Sequence, residues 1–249
     1  RHMSGMVLAL DVRVAYVDAD GVPTGGFIGL VNPVTLAIET PEPTRTQRIS
    51  RQRDSYGAAL DEIVTSNPTQ VNFSTDETGD AEVLAWGLNG EAVNYTQDAA
   101  TVTDAVHAVE KGKWLRLPHR SISGLSIEPE GGGTPYLLNT DYLVDPISGM
   151  VKITDAGAIA TGDVQVSYTA AALTGKKVNA GTKSNIRVCI EGDGTNRANG
   201  KRVKVSIPCA SLSASGAQDL VGDEFLVSEL TGTAIKLPGR EAVEVVYID

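Results

Sequence analysis

Cysteine, histidine and aromatic residues are all scarce in these 249 residues, and each shortage closes off a class of function. Two cysteines, Cys189 and Cys209, cannot build a disulfide framework. Both fall in strand-like runs beside aliphatic neighbours, so they read as reduced and buried, with a mutual disulfide as the alternative. Of three histidines, one lies in Arg1-His2-Met3; the other two, His107 and His119, stand too far from each other and from the cysteines for a zinc site. There is no G-x-S-x-G nucleophile elbow, and Ser123-Gly124 near His119 reads as a coincidence of spacing. No apolar run approaches the length of about 18 residues that a membrane-spanning helix needs. Neither an enzyme, a cofactor nor a metal site is expected.

Positive charge is also short. Lys and Arg number 21 against 31 Asp and Glu, a formal net charge of −10. Tight nucleic-acid binding needs clustered cations, so an acidic chain is a poor candidate for it. Arg1-His2-Met3 reads as a cloning-tag remnant, and no signal-peptide segment follows it, so a soluble protein without an export signal is expected. With 41% hydrophobic residues, the length suits one large domain over residues 4–249. Residues 129–172 read as an insertion or extra hairpin segment within it.

What the chain has in quantity is short alternating runs bounded by Gly, Pro, Asn and Asp, the mark of strands. Val12–Val17 turns through Asp18-Ala19-Asp20-Gly21 into Phe27–Val31, and Val34–Glu39 follows. The Asp-x-Asp-Gly run lacks the later ligands of a calcium loop and reads as a hairpin turn. Ala59–Thr65 and Gln70–Ser74 read as a pair around Asn67-Pro68. Strands are also expected at 122–128, 164–169 and 243–248, and as a hairpin of 141–145 with 149–153. Runs 185–191 and 202–208 read as a hairpin with Gly192–Asn196 in its tip. Helical spacing of Ala81, Leu84, Ala85 and Leu88 predicts one short helix near 77–88, with Leu84 and Leu88 facing the core. Asp98–Ala105 reads as a weaker helical turn or loop.

Pro41–Asp54 differs from its surroundings. It carries Arg45, Arg48, Arg51 and Arg53, with Ile49 as its lone apolar side chain after the opening prolines, and reads as a long exposed loop or hairpin arm. A solvated loop is the plain reading, and a nucleic-acid arm lacks interleaved aromatics. The favoured reading is an arm that seeks the acidic surface of another copy, because the planar guanidinium engages carboxylates bidentately. A basic arm on an acidic body is complementary head to tail, which builds stacks.

The order of these features resembles the major tail tube protein family of bacteriophages with long, non-contractile tails. The likeness rests on the opening β-pair and on a charged loop ending Arg53-Asp54-Ser55-Tyr56-Gly57-Ala58-Ala59-Leu60-Asp61. It continues with a strand pair running into the helical stretch Asp76–Gly90. Thr134–Asp145 followed by Gly149-Met150-Val151-Lys152-Ile153 is similar to runs in phage tail proteins, and the likeness covers most of residues 7–249. It implies a mainly β fold of two packed antiparallel sheets, a sandwich or partial barrel, with one short helix and a long inter-strand loop. It further implies hexameric rings stacked into a tube through which double-stranded DNA passes into the host. Implied partners are other copies, a tape-measure protein, and tail-tip and tail-terminator proteins. The implied location is the virion tail, assembled in the host bacterial cytoplasm. By position, Arg45, Arg48, Arg51 and Arg53 would be ring-stacking residues. The alternative is a β-sandwich adhesion or carbohydrate-binding module of a phage or bacterial surface protein.

Overall fold

A computed structural model describes residues 5–248; the tag-like Arg1-His2-Met3 lies outside them. Among these residues strand makes up 55% and helix 3%, in several antiparallel sheets with no closed barrel, so the protein is mainly β, with one short helix among the described residues. The chain divides into two compact units, residues 1–92 with 178–249 and residues 93–177. The segment 129–172 falls inside the second unit, whose bounds are wider at both ends.

The first unit begins with β1 (Leu8–Val17), β2 (Pro23–Val31), β3 (Pro33–Glu39), β4 (Thr44–Ile49), β5 (Ala59–Thr65), β6 (Gln70–Thr75) and α1 (Ala81–Gly87). The chain leaves along β7 (Glu91–Gln97) into β8 (Ala100–Val109), β9 (Trp114–Arg116), β10 (Ile122–Pro129), β11 (Tyr142–Asp145), β12 (Met150–Ile153) and β13 (Gly162–Ala170). It returns along β14 (Leu173–Asn179), which pairs with β7. The first unit is completed by β15 (Ile186–Asn196), β16 (Arg202–Ala214), β17 (Ser228–Ala234) and β18 (Glu244–Ile248).

An eight-stranded sheet in the order β2-β1-β15-β16-β17-β6-β3 organises the first unit, with β18 paired to the first half of β16. Alternation sorts side chains between its faces. Val12, Val14, Val188, Ile190 and Ile207 join Phe73, Leu212 and the helix residues Val83 and Trp86 in the main core. Val17, Cys189, Cys209 and Leu237 form a smaller cluster. Gln70–Thr75 pairs with β17 and β3, and Ala59–Thr65 pairs with β4, so the expected pairing of those two runs around Asn67-Pro68 is corrected. Gly192–Asn196 is also not a hairpin tip but the end of β15. A Cβ at Gly194 would stand 1.9 Å from the Ala9 carbonyl oxygen, so glycine there permits the close approach of β1 rather than a turn.

The helix is seven residues long, too short to be stable alone, and packing on β16 and β17 holds it. Asp80 caps it, accepting the Glu82 N–H at 2.7 Å. Trp86, buried beneath it, donates its indole N–H to the Tyr16 hydroxyl at 2.7 Å, with the two rings edge to face. The face turned inward is Val83, Ala85, Trp86 and Gly87, whereas Leu84 and Leu88 are only half-buried. The expected core face is therefore corrected by part of a turn, because the bulk of Trp86 sets which stripe is buried.

In the second unit, the sheets β10-β13-β8 and β11-β12-β9 contribute to one core, with Ile127, Tyr142, Val151, Ile153, Ile159 and Val166 at its centre. The 141–145 and 149–153 hairpin forms as expected. Asp98–Ala105 instead leads into β8, which pairs along β13; alternate burial of its side chains suits a strand, and its Thr and Val residues favour one. Buried Asp141 ties this unit together. Its carboxylate accepts the N–H groups of Leu137 and Ala158, each at 2.7 Å, and these bonds hold its pKa below the ordinary value.

Candidate assembly interface

Thr44, Thr46, Ile49, Ile63, Val64 and Thr65 are β-branched, which favours the extended pairing of β4 with β5. The result is a two-stranded arm whose every strand residue is exposed. Among the described residues neither strand pairs with any other sheet. Such an isolated hairpin is marginal in water. The tip is nevertheless built. Ser50 is buried, its hydroxyl bonds that of Ser55 at 2.7 Å, and its backbone N–H and carbonyl bond Ala58 and Gly57. Gly57 closes the tip at φ +88°, a conformation that favours glycine. Asn67 fastens the base, donating to the Glu42 carbonyl at 2.6 Å.

The four arginines are not equivalent. Arg45 pairs with Glu62 of the facing strand at 3.1 Å, and Gln47 donates to the same oxygen. Arg48 stands opposite Asp61 without an ion pair; Asp61 instead accepts the Glu62 N–H. Arg51 and Arg53 lie in the tip, and Arg48, Arg51 and Arg53 form no ion pair among the described residues. Asp54, Asp61 and Glu62 offset three of the four arginines, so residues 44–65 carry a formal charge of only +1. The free positive charge is concentrated at the tip, whereas the sequence segment suggested a basic arm throughout.

Ile49, Tyr56, Leu60, Ile63 and Val64 stand exposed on the arm, Tyr56 at 71%. The sequence pattern hides this apolar character, because it pairs β5, which supplies Leu60, Ile63 and Val64, with residues 70–74 instead of with β4. The pairing of opposite charges, Arg45 with Glu62 and Arg48 with Asp61, was the available signal.

The remaining polar residues singled out in the sequence each bond partners other than one another. His119 bonds the Tyr168 hydroxyl at 2.9 Å, and Ser123 bonds Thr169 at 2.8 Å. Asp18 accepts the N–H groups of Asp20 and Val22 within its own turn. Cys189 and Cys209 are free thiols and buried. Burial, then the neighbouring Glu191 charge, pushes the Cys189 thiol up to about 11. Among the described residues no helix is long and apolar enough to cross a membrane.

A family described as "Protein of unknown function UCP028589" matches the chain over residues 18–244. No curated protein matches it.

Proposed function

The chain belongs to the UCP028589 family, and we propose that it is a structural subunit that assembles with copies of itself into the stacked rings of a phage tail tube. The observation that carries this reading is the arm, which exposes large apolar side chains on both faces and, among the described residues, pairs with no other strand. A monomer gains nothing from ordering such a hairpin, whereas an assembly buries it. The open sheet supports the same reading. Among the described residues its outer strand β3 pairs on one side only, with Val34 and Ile38 exposed, and an unfinished edge is a template for another chain.

The tube itself rests on the resemblance, together with charge. A subunit at −10 gives a ring of like-charged copies, and an acidic wall lets phosphates pass with little adhesion. Tape-measure, tail-tip and terminator proteins would be partners, and the virion tail the location. Negative-stain electron microscopy of concentrated protein tests the reading: rings or tubes support it, and monodisperse small particles overturn it.

One observation favours a second reading, a carbohydrate-binding or adhesion module. In the second unit Trp114 is 52% exposed beside a groove of about 490 Å³ that Glu110, Lys113 and Arg116 also line. An exposed indole among hydrogen-bonding groups suits a sugar ring. Saccharide titration followed by tryptophan fluorescence, with Trp114→Ala as the control, separates the two readings.

A further inference from the structure

A second exposed feature of the first unit complements the arm. Residues 215–227 connect β16 to β17 and contain no Lys or Arg. Their ends are fastened. The Ser215 N–H bonds the Glu229 carbonyl at 3.0 Å, and Thr78 donates to the Leu226 carbonyl at 3.1 Å. The Gln218 side chain lies against the helix residue Gly87 and accepts from the Ser228 hydroxyl at 3.4 Å. Between these anchors the chain turns its apolar side chains outward. Leu220 is 67% exposed, Val221 88% and Phe225 89%. Asp219, Asp223 and Glu224 are exposed among them, and none forms an ion pair among the described residues. Asp219, Asp223, Glu224 and Phe225 line a groove of about 350 Å³.

Loop and arm tip are thus opposite in charge and alike in apolar content. The outer end of the arm offers Arg51 and Arg53 of the tip and Arg48 of the adjoining strand, with Ile49, Tyr56 and Leu60. The loop offers three carboxylates with Leu220, Val221 and Phe225. No hydrogen bond or ion pair joins arm to loop within one chain among the described residues. We propose that the arm tip of one copy docks on the 215–227 loop of another, its three free guanidiniums meeting Asp219, Asp223 and Glu224 while the apolar side chains of both are buried. This rests on the reading of the chain as a self-assembling subunit and names the surface that receives the arm. Planar guanidinium–carboxylate pairs fix the register, and mutual burial of apolar surface supplies the driving force. Because the two surfaces differ, the contact is head to tail and repeats from copy to copy.

A charge-swap series tests it. Arg48→Glu with Arg51→Glu and Arg53→Glu reverses the tip; Asp219→Arg with Asp223→Arg and Glu224→Arg reverses the loop. Each triple variant should weaken self-association, read as weight-average mass against concentration, by roughly tenfold or more. A chain carrying both reversals should recover most of the loss. Wild-type association that neither triple variant weakens, or a combined variant that recovers nothing, overturns the docking surface while leaving self-assembly standing. A wild-type protein that stays monomeric overturns both. Independently of charge-reversed folding, Arg51→Cys protein mixed with Asp223→Cys protein and oxidised should give mainly the mixed disulfide dimer. A statistical mixture of dimers contradicts the contact.

Discussion

Asp141 and Cys189 illustrate how far single residues in this protein are set by their surroundings. Asp141 accepts two backbone N–H groups, which keep its carboxyl below the ordinary value of 3.8. A lowered folded pKa means that the ionised group contributes stability present above that ordinary value and lost as the pH falls through the folded one. The difference in melting temperature between wild type and Asp141→Asn should therefore be largest near neutral pH and fade in acid; a difference independent of pH would contradict this. Cys189 has the opposite sign. Its folded pKa is raised from 9.0 to about 11 by burial first and by Glu191 next. The neutral thiol's contribution to stability is intact below 9.0 and is lost as the pH rises toward 11. Thiol titration without reductant should find Cys189 and Cys209 unreactive in the folded protein and both reactive after denaturation. Recovery of no thiol would mean that they are bridged. Burial of the two cysteines was legible from their aliphatic neighbours. The role of Asp141 was not, because the N–H groups that it binds come from Leu137 and Ala158, on either side of it in sequence.

At the scale of elements, the short helix tests what packing contributes. Trp86 is fully buried in the main core and bonds Tyr16 of β1, so Trp86→Ala should cost about 3–5 kcal/mol in a denaturant melt. Leu84→Ala, at a half-buried position, should cost clearly less. Equal costs would show that the helix is buried on the Leu84 side. The existence of this helix, the opening hairpin and the 141–153 hairpin could be read from local pattern, because capping, turn residues and alternation are local. Three readings failed where tertiary contact decides. The helix faces inward by its tryptophan, Asp98–Ala105 leads into a strand by pairing with β13, and Gly192–Asn196 stays extended because β1 approaches it closely. The arm combines both cases. Its exposure was apparent from Pro41–Asp54, but its near-balanced charge and apolar surface depend on β5, a partner that the local sequence did not identify.

At the scale of the whole molecule, an acidic mainly-β chain carries a hairpin that its own first unit leaves uncovered. The segment 129–172 set apart in the sequence lies inside the second unit, residues 93–177, whose earlier strand β8 begins where the sequence reads as a helical turn or loop. The central claim is that the arm exists for other copies of this chain. Sedimentation velocity over a wide concentration range tests it most directly, with wild type compared against a variant in which residues 44–65 are replaced by a short Gly-Ser turn. The account predicts that wild type sediments as rings or larger assemblies as concentration rises, while the armless protein remains a folded monomer with its melting temperature little changed. Wild type that stays monomeric throughout, or an armless protein that assembles as wild type does, would contradict it.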